Sequence, residues 1–308
     1  MITTTFANNG QAQQRTRVSF RRPLRVTLAE TTRAILRNRG GCWIGTVLVA
    51  MMLVTAILGP FVFPIDPNLQ DIANRFAGPS ASHLLGTDYL GRDLLARLIC
   101  GCRIAMSVAF GSISLSAIVG VILGVISGYL EGSKLDYATI FVFDVVRSFP
   151  QVVLALAVVA VLGCSMLNLI LALAFTVFPF YGRIARAQTL SVKESDYVKA
   201  AEAMGLNRMK IIFRHIVPNI LAPVIVCLGM DLATIIIYEA GLSFLGLGVR
   251  PPTASWGIML RNGYRYIETS PWMILWPAVA ISLSMIAFSL FSEGLRVALD
   301  PKQRQRNV

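Results

Sequence analysis

Long apolar runs broken by short polar links set the pattern of this 308-residue chain. A helix that crosses a hydrocarbon core ~30 Å thick needs about 20 predominantly apolar residues. Six stretches meet that requirement, at 43–63, 104–129, 139–162, 166–187, 216–238 and 272–292. The links predict the rest of the layout. Glu131–Asp136 and Gly163–Ser165 are short turns, so the third and fourth runs form a hairpin. Between the first and second runs, Pro64-Ile-Asp-Pro67 is a turn. Beyond it, Leu94, Leu95, Leu98 and Ile99 recur at helical spacing, which predicts an amphipathic helix on a membrane surface feeding the second run. Glycines 241, 246 and 248, followed by Pro251-Pro252, predict that the fifth run ends in a rigid turn. The fold class is an all-α polytopic membrane protein.

Within the runs, Gly120, Gly124 and Gly128 recur every fourth residue. Small residues at that spacing share one helical face and let two membrane helices pack closely. Charges are sparse. Asp144 and Arg147 stand one turn apart and are placed to pair. Asp231 is the most isolated acid, with Tyr238 farther along the same run. A carboxylate at membrane depth either lines a pathway or makes a structural hydrogen bond, and both readings stand for Asp231.

The polar segment between the fourth and fifth runs is the most informative link. It reads Tyr197-Val-Lys199-Ala200-Ala201-Glu202-Ala-Met-Gly205, then Phe213-Arg214-His-Ile-Val-Pro218-Asn219. Its alanines allow a short helix to approach another protein closely, Gly205 suits the left-handed residue that ends a helix, and Pro218 opens the next run. A docking helix on one face of a membrane protein points to a soluble partner that drives it; an ordinary connecting loop is the alternative.

Composition fixes the compartment. Apolar residues make up 55% of the chain and charged residues 14%, with a net charge of +12. The positive charge is no sign of nucleic acid, because arginines and lysines gather before the first run, around the fourth link and at the C-terminal end. With six crossings these three regions share one side, and the positive-inside rule makes that side cytoplasmic, termini included. The first run lies too far from the start, and is too long, for a cleaved signal peptide.

The expected organisation is a polar, unstructured N-terminal tail with a membrane-surface helix (1–40), a first helix and outer segment (41–102), a core (103–295) with its cytoplasmic loop at about 188–212, and a basic tail (296–308). Cys42, Cys100, Cys102, Cys164 and Cys227 are scattered, as small apolar residues would be. No phosphate-binding G-x-x-x-x-G-K-[ST] sequence occurs, nor H-E-x-x-H or G-x-S-x-G. The two histidines, His83 and His215, fall on opposite sides, so no histidine-based metal site or triad is expected. Catalysis within the chain is not expected.

Four stretches carry a family resemblance: Leu85–Asp93 (LGTDYLGRD), the Ala200-Ala201-x-x-x-Gly205 element with Arg214–Asn219, Glu239–Gly257 (EAGLSFLGLGVRPPTASWG) and Glu293–Pro301 (EGLRVALDP). The chain resembles, over about 35–301, the second permease of bacterial ATP-binding-cassette importers of the dipeptide/oligopeptide/nickel group. The resemblance implies a type I importer architecture of six transmembrane helices in the bacterial inner membrane. It also implies a heterodimer with a second homologous permease, two cytoplasmic ATPases that bind ATP and Mg, and an outer, periplasmic substrate-binding protein. A helix at about 195–206 would sit in a groove of one ATPase. Di- or oligopeptides are the expected cargo, with nickel chelates, glutathione or another small solute as alternatives. One residue departs from the family pattern: Lys199 replaces the usual Glu before the alanine pair, while Glu202 lies one turn on, where the two could pair. The exchange is either a tolerated substitution or a means of selecting a matching ATPase. Two other classes remain. A secondary transporter would carry paired broken helices and coupling charges, and a membrane scaffold would need no pathway.

Overall fold

The computed structural model describes residues 42–299. The expected tail over 1–40, its surface helix, and residues 300–308 lie outside them. The described residues form helices and connecting turns. Cys42–Val62 (α1) and Leu94–Tyr129 (α2) come first, then Lys134–Arg147 (α3) and Gln151–Leu162 (α4). Next are Met166–Lys193 (α5), a short Asp196–Ala203 (α6) and one turn at Arg208–Ile211 (α7). A π turn at Ile212–Ile216 leads into Val217–Phe244 (α8), followed by Trp256–Arg265 (α9) and Trp272–Leu299 (α10).

Five helical runs are long and apolar enough to cross a membrane, and α3 with α4 makes a sixth crossing if the pair counts as one. The expected third span is therefore corrected. It is two helices meeting at 92° rather than one helix over 139–162. The break falls at Ser148-Phe149-Pro150, where proline disfavours helical backbone in the residue before it. The expected surface helix is also corrected. From Leu94 the chain is one 36-residue helix, about 54 Å long at 1.5 Å per residue, and Leu94, Arg97 and Ile99 are buried rather than lying on a membrane surface.

The chain has two distinct ends. At one, Trp276 Nε1 donates to the Leu85 carbonyl (3.1 Å), Trp256 Nε1 donates to the Leu98 carbonyl (2.9 Å), and the Tyr266 ring packs on Phe76 and Tyr89. The segment 63–93, the turn 163–165 and the segment 245–271 gather here. At the other end, Lys193 Nζ donates to the Tyr129 carbonyl (3.2 Å), and Val125, Val198, Ile211, Ile216 and Ile220 form a small core of their own. Gly45 of α1 lies against Leu290 and Phe291 of α10, so both ends of the described chain point to this second end.

The Leu85–Asp93 stretch is a knot that starts α2. Asp93 caps the helix by accepting from Ala96 N (2.9 Å) and holds His83 Nδ1 (2.9 Å). Asp88 accepts from Leu90 N, Arg92 N and Arg92 Nε at 2.7–3.0 Å. Gly86 and Gly91 take φ of 85° and 75°, which makes the turns tight enough for these bonds.

Helix α2 packs on α5. A Cβ on Gly120 would strike the Phe178 carbonyl oxygen, one on Gly124 the Gly182 carbonyl oxygen, and one on Gly128 would lie 2.9 Å from the Arg186 carbonyl oxygen. Gly182 in turn makes room for the Phe143 ring of α3. At the foot of this stack Asp136 of α3 is fully surrounded. It accepts from Arg186 Nε (2.8 Å) and Nη2 (3.0 Å), Ser127 Oγ (2.5 Å) and Gly132 N (3.1 Å).

Candidate functional site

The loop helix α6 has an inner and an outer face. Val198 and Ala201 are buried, three residues apart, and Val198 joins the small core with Val125 of α2 and Ala185 of α5. Lys199, Ala200, Glu202 and Ala203 face outward. The expectation that its alanines together form an approach surface is thus corrected: Ala201 belongs to the protein's interior, and Ala200 and Ala203 are the exposed pair.

The helix ends in a Schellman motif. Leu206 N donates to the Ala201 carbonyl (3.2 Å) and Gly205 N to the Glu202 carbonyl (2.9 Å), with Gly205 at φ 77°. The half-buried Leu206 then folds back onto the small core, which is the apolar contact such a motif favours. Next to this turn Met204, Met209 and Phe213 are exposed by 73%, 58% and 66%. With Ala200 and Ala203 they make an unusually apolar surface for a polar link.

Lys199 does not pair with Glu202. Its ammonium reaches Glu194 at 2.8 Å, while Glu202 accepts weakly from Tyr129 Oη at 3.4 Å. The Lys199 hydrogen bond holds the Glu194 carboxyl below its ordinary range and raises the ammonium, so the pair stays charged throughout neutral pH. Arg214 is exposed beside Phe213. Tyr197 is half-buried, accepting from Asn219 Nδ2 (3.2 Å) with its ring near His215. Pro218, in the first turn of α8, has no N–H, and its ring would crowd the Arg214 carbonyl of a regular helix. The π turn just before it relieves that contact, with Val217 N donating to Ile212 O.

Deeper in the helices, Asp231 Oδ2 accepts from Tyr181 Oη at 2.7 Å, linking α8 to α5. Tyr238 Oη donates to Gln151 Oε1 at 2.9 Å, linking α8 to α4. Asp231 is therefore hydrogen-bonded, not isolated. The pairing expected for Asp144 and Arg147 does not form: Asp144 pairs with Arg183 of α5, and Arg147 lies over the Phe180 ring. Tyr181, Gln151 and the Asp136–Arg186 pair were not singled out from the sequence. Arg186, a cation well inside a long helix, was the available signal. Glu239 is fully buried in α8 and accepts from Ser243 Oγ (2.7 Å), another group that sequence left without a role. Among the described residues no cluster of three metal-ligating side chains occurs.

The small core ties α6 to α2, α5 and α8 at once.

Comparison with known proteins adds the family. Residues 120–305 match the family described as binding-protein-dependent transport system inner membrane component. Residues 28–79 match the N-terminal TM domain of oligopeptide transport permease C. A dipeptide transport system permease protein DppC of Alkalihalophilus pseudofirmus is 38% identical over 261 residues, covering 85% of this chain and 86% of that one. The nickel transport system permease protein NikC of Escherichia coli is 32% identical over 266 residues, covering 86% and 96%. Among solved structures, the inward-facing MetNI methionine ABC transporter matches with a TM-score of 0.54 at 18% identity, over 66% of this chain and 96% of that one, and shares the fold. On these matches and this helical architecture, the chain belongs to the inner-membrane permease components of binding-protein-dependent ABC importers, in the dipeptide/oligopeptide/nickel group.

Proposed function

We propose that this chain forms half of the translocation pathway of an ATP-driven importer of di- or oligopeptides. It pairs with a second, homologous permease, and an outer binding protein delivers the cargo. Two ATPases, which carry the ATP and Mg, supply the power from the cytoplasmic side. The observation that carries this reading is the set of exposed apolar residues on the loop, Ala200 and Ala203 of α6 with Met204, Met209 and Phe213 after it, on a loop rooted in three long helices. Such a face on an otherwise polar link fits a protein partner, and its roots give that partner leverage on the pathway. Peptide cargo is supported by the relatives named for dipeptides; Asp231, Tyr238 and Gln151, each half-buried, are the polar groups placed to line its path.

The test is peptide uptake and ATP hydrolysis by the complex in proteoliposomes with its binding protein. The expected result is peptide-stimulated hydrolysis that drives uptake. Ala200→Trp, an exposed position, is expected to lower ATPase co-purification and stimulation at least tenfold while leaving the thermal unfolding of the permease unchanged. Uptake that persists without ATP would overturn the reading in favour of a secondary transporter.

A further inference from the structure

At the end opposite the loop helix, a cavity of about 220 Å³ opens between α9, the segment after α8 and the start of α2. Arg92, Arg97, Arg261 and Arg265 line it, together with Tyr89 and Asn262. Among the described residues, Asp88 is the one carboxylate within ion-pair distance of these four guanidiniums, at 2.7 Å from Arg92 and 3.6 Å from Arg97. Four cations against one anion leave the cavity strongly positive.

The cations are held in place. Arg97 is buried and its Nη1 donates to the Pro67 carbonyl (3.0 Å). Arg92 lies over the Tyr89 ring at 5.3 Å, and that ring is stacked on Tyr266. Arg261 rests against Gly246, where a Cβ would strike its Nη1, so the absence of a side chain there sets the wall of the cavity. Arginine stays charged at any physiological pH, and its fork of N–H donors matches the two oxygens of a carboxylate or phosphate. Like charges gathered in a partly enclosed space call for a counter-ion.

We propose that this cavity is an oxyanion-binding site, and that its ligand is a small molecule bearing a carboxylate or phosphate group. Its volume is below the ~300 Å³ at which pockets hold whole drug-sized ligands, which suits one charged end of a solute. The C-terminal carboxylate of a short peptide is one source, and that source rests on the import reading above. Free phosphate is the other and does not depend on it.

The test uses the full permease–ATPase complex in nanodiscs, without ATP or binding protein, in low-chloride buffer. Binding is read calorimetrically with three probes: inorganic phosphate, Ala-Ala, and Ala-Ala amide. Binding of Ala-Ala but not its amide assigns the site to a peptide carboxylate; binding of phosphate alone keeps the oxyanion site and assigns it to a free anion. In either case R261Q/R265Q is expected to weaken binding at least tenfold. R261K/R265K, which keeps the charge and loses the fork, is expected to fall between. R250Q, an exposed change outside the cavity, is expected to bind like the native protein. The proposal is overturned if neither anion binds, if acid and amide bind alike, or if R250Q loses as much as the double variant. A parallel titration adds the binding protein: the proposal is also overturned if R261Q/R265Q leaves the three probes unchanged and weakens only the salt-sensitive docking of that protein, because the site would then belong to an acidic residue of that partner. No transport is measured, so a failure here is distinct from a failure of the import reading.

Discussion

Arg186 grips Asp136 with two nitrogens at 2.8 and 3.0 Å, and Ser127 and Gly132 fill the remaining acceptor positions. Removing one partner of a fully buried ion pair costs about 3–5 kcal/mol, because a charge is left unpaired. Arg186 is 23% exposed, so water shares the load, and Arg186→Met is expected to destabilise by about 2 kcal/mol. Asp136→Leu in the same chain is expected to recover much of that loss. Denaturant titration in detergent reads both, and an unchanged single variant would show that the pair contributes nothing. Sequence reading missed this pair for a physical reason. It looked for partners one turn away, as with Asp144 and Arg147 or Lys199 and Glu202. The tertiary fold instead offered Asp144 a cation on α5, 39 residues on, and let Lys199 turn back to Glu194. Proximity along a helix is a weak attraction of a few tenths of a kcal/mol, and any better-placed partner outcompetes it.

At the scale of elements, the glycine stripe of α2 and the loop helix show opposite uses of small residues. Gly120, Gly124 and Gly128 sit under backbone oxygens of α5, with no room for a side chain. Gly124→Val forces the two helices apart and is expected to destabilise by about 1–3 kcal/mol, the range for overpacked cores. A lowered thermal midpoint in detergent checks it; an unchanged one would mean the helices are loosely packed there. Ala200 and Ala203, by contrast, face outward beside the exposed Met204. The spacing of small residues was legible in both places, but which face each turned was not. That was decided by Val198, buried in the small core, and by the half-buried Leu206 packed against it, which turn Ala201 to the buried face of α6. Glycines at both helix ends were legible as stops, because Gly205 and Gly246 occupy left-handed backbone that other residues reach at a cost.

For the molecule as a whole, apolar run length located the five long spans among the described residues, since the thickness of a bilayer sets it. Run length carries no direction, which is why a right-angle bend at Ser148–Pro150 passed unseen inside a continuous apolar stretch. Neither α3, of 14 residues, nor α4, of 12, is long enough to cross alone. Each must leave peptide groups at membrane depth, and such groups are tolerated only under protein or water. Phe149, at the corner, is 53% exposed in the isolated chain. Phe149→Cys is expected to react with a water-soluble thiol reagent, or to cross-link to the second permease, in the assembled complex. Labelling only by a lipid-soluble reagent would contradict this. The bend therefore works as a compass on a greasy exterior: it marks a flank that a lipid tail is ill suited to cover, and, on the proposed pairing, the direction from which the second permease is expected to arrive.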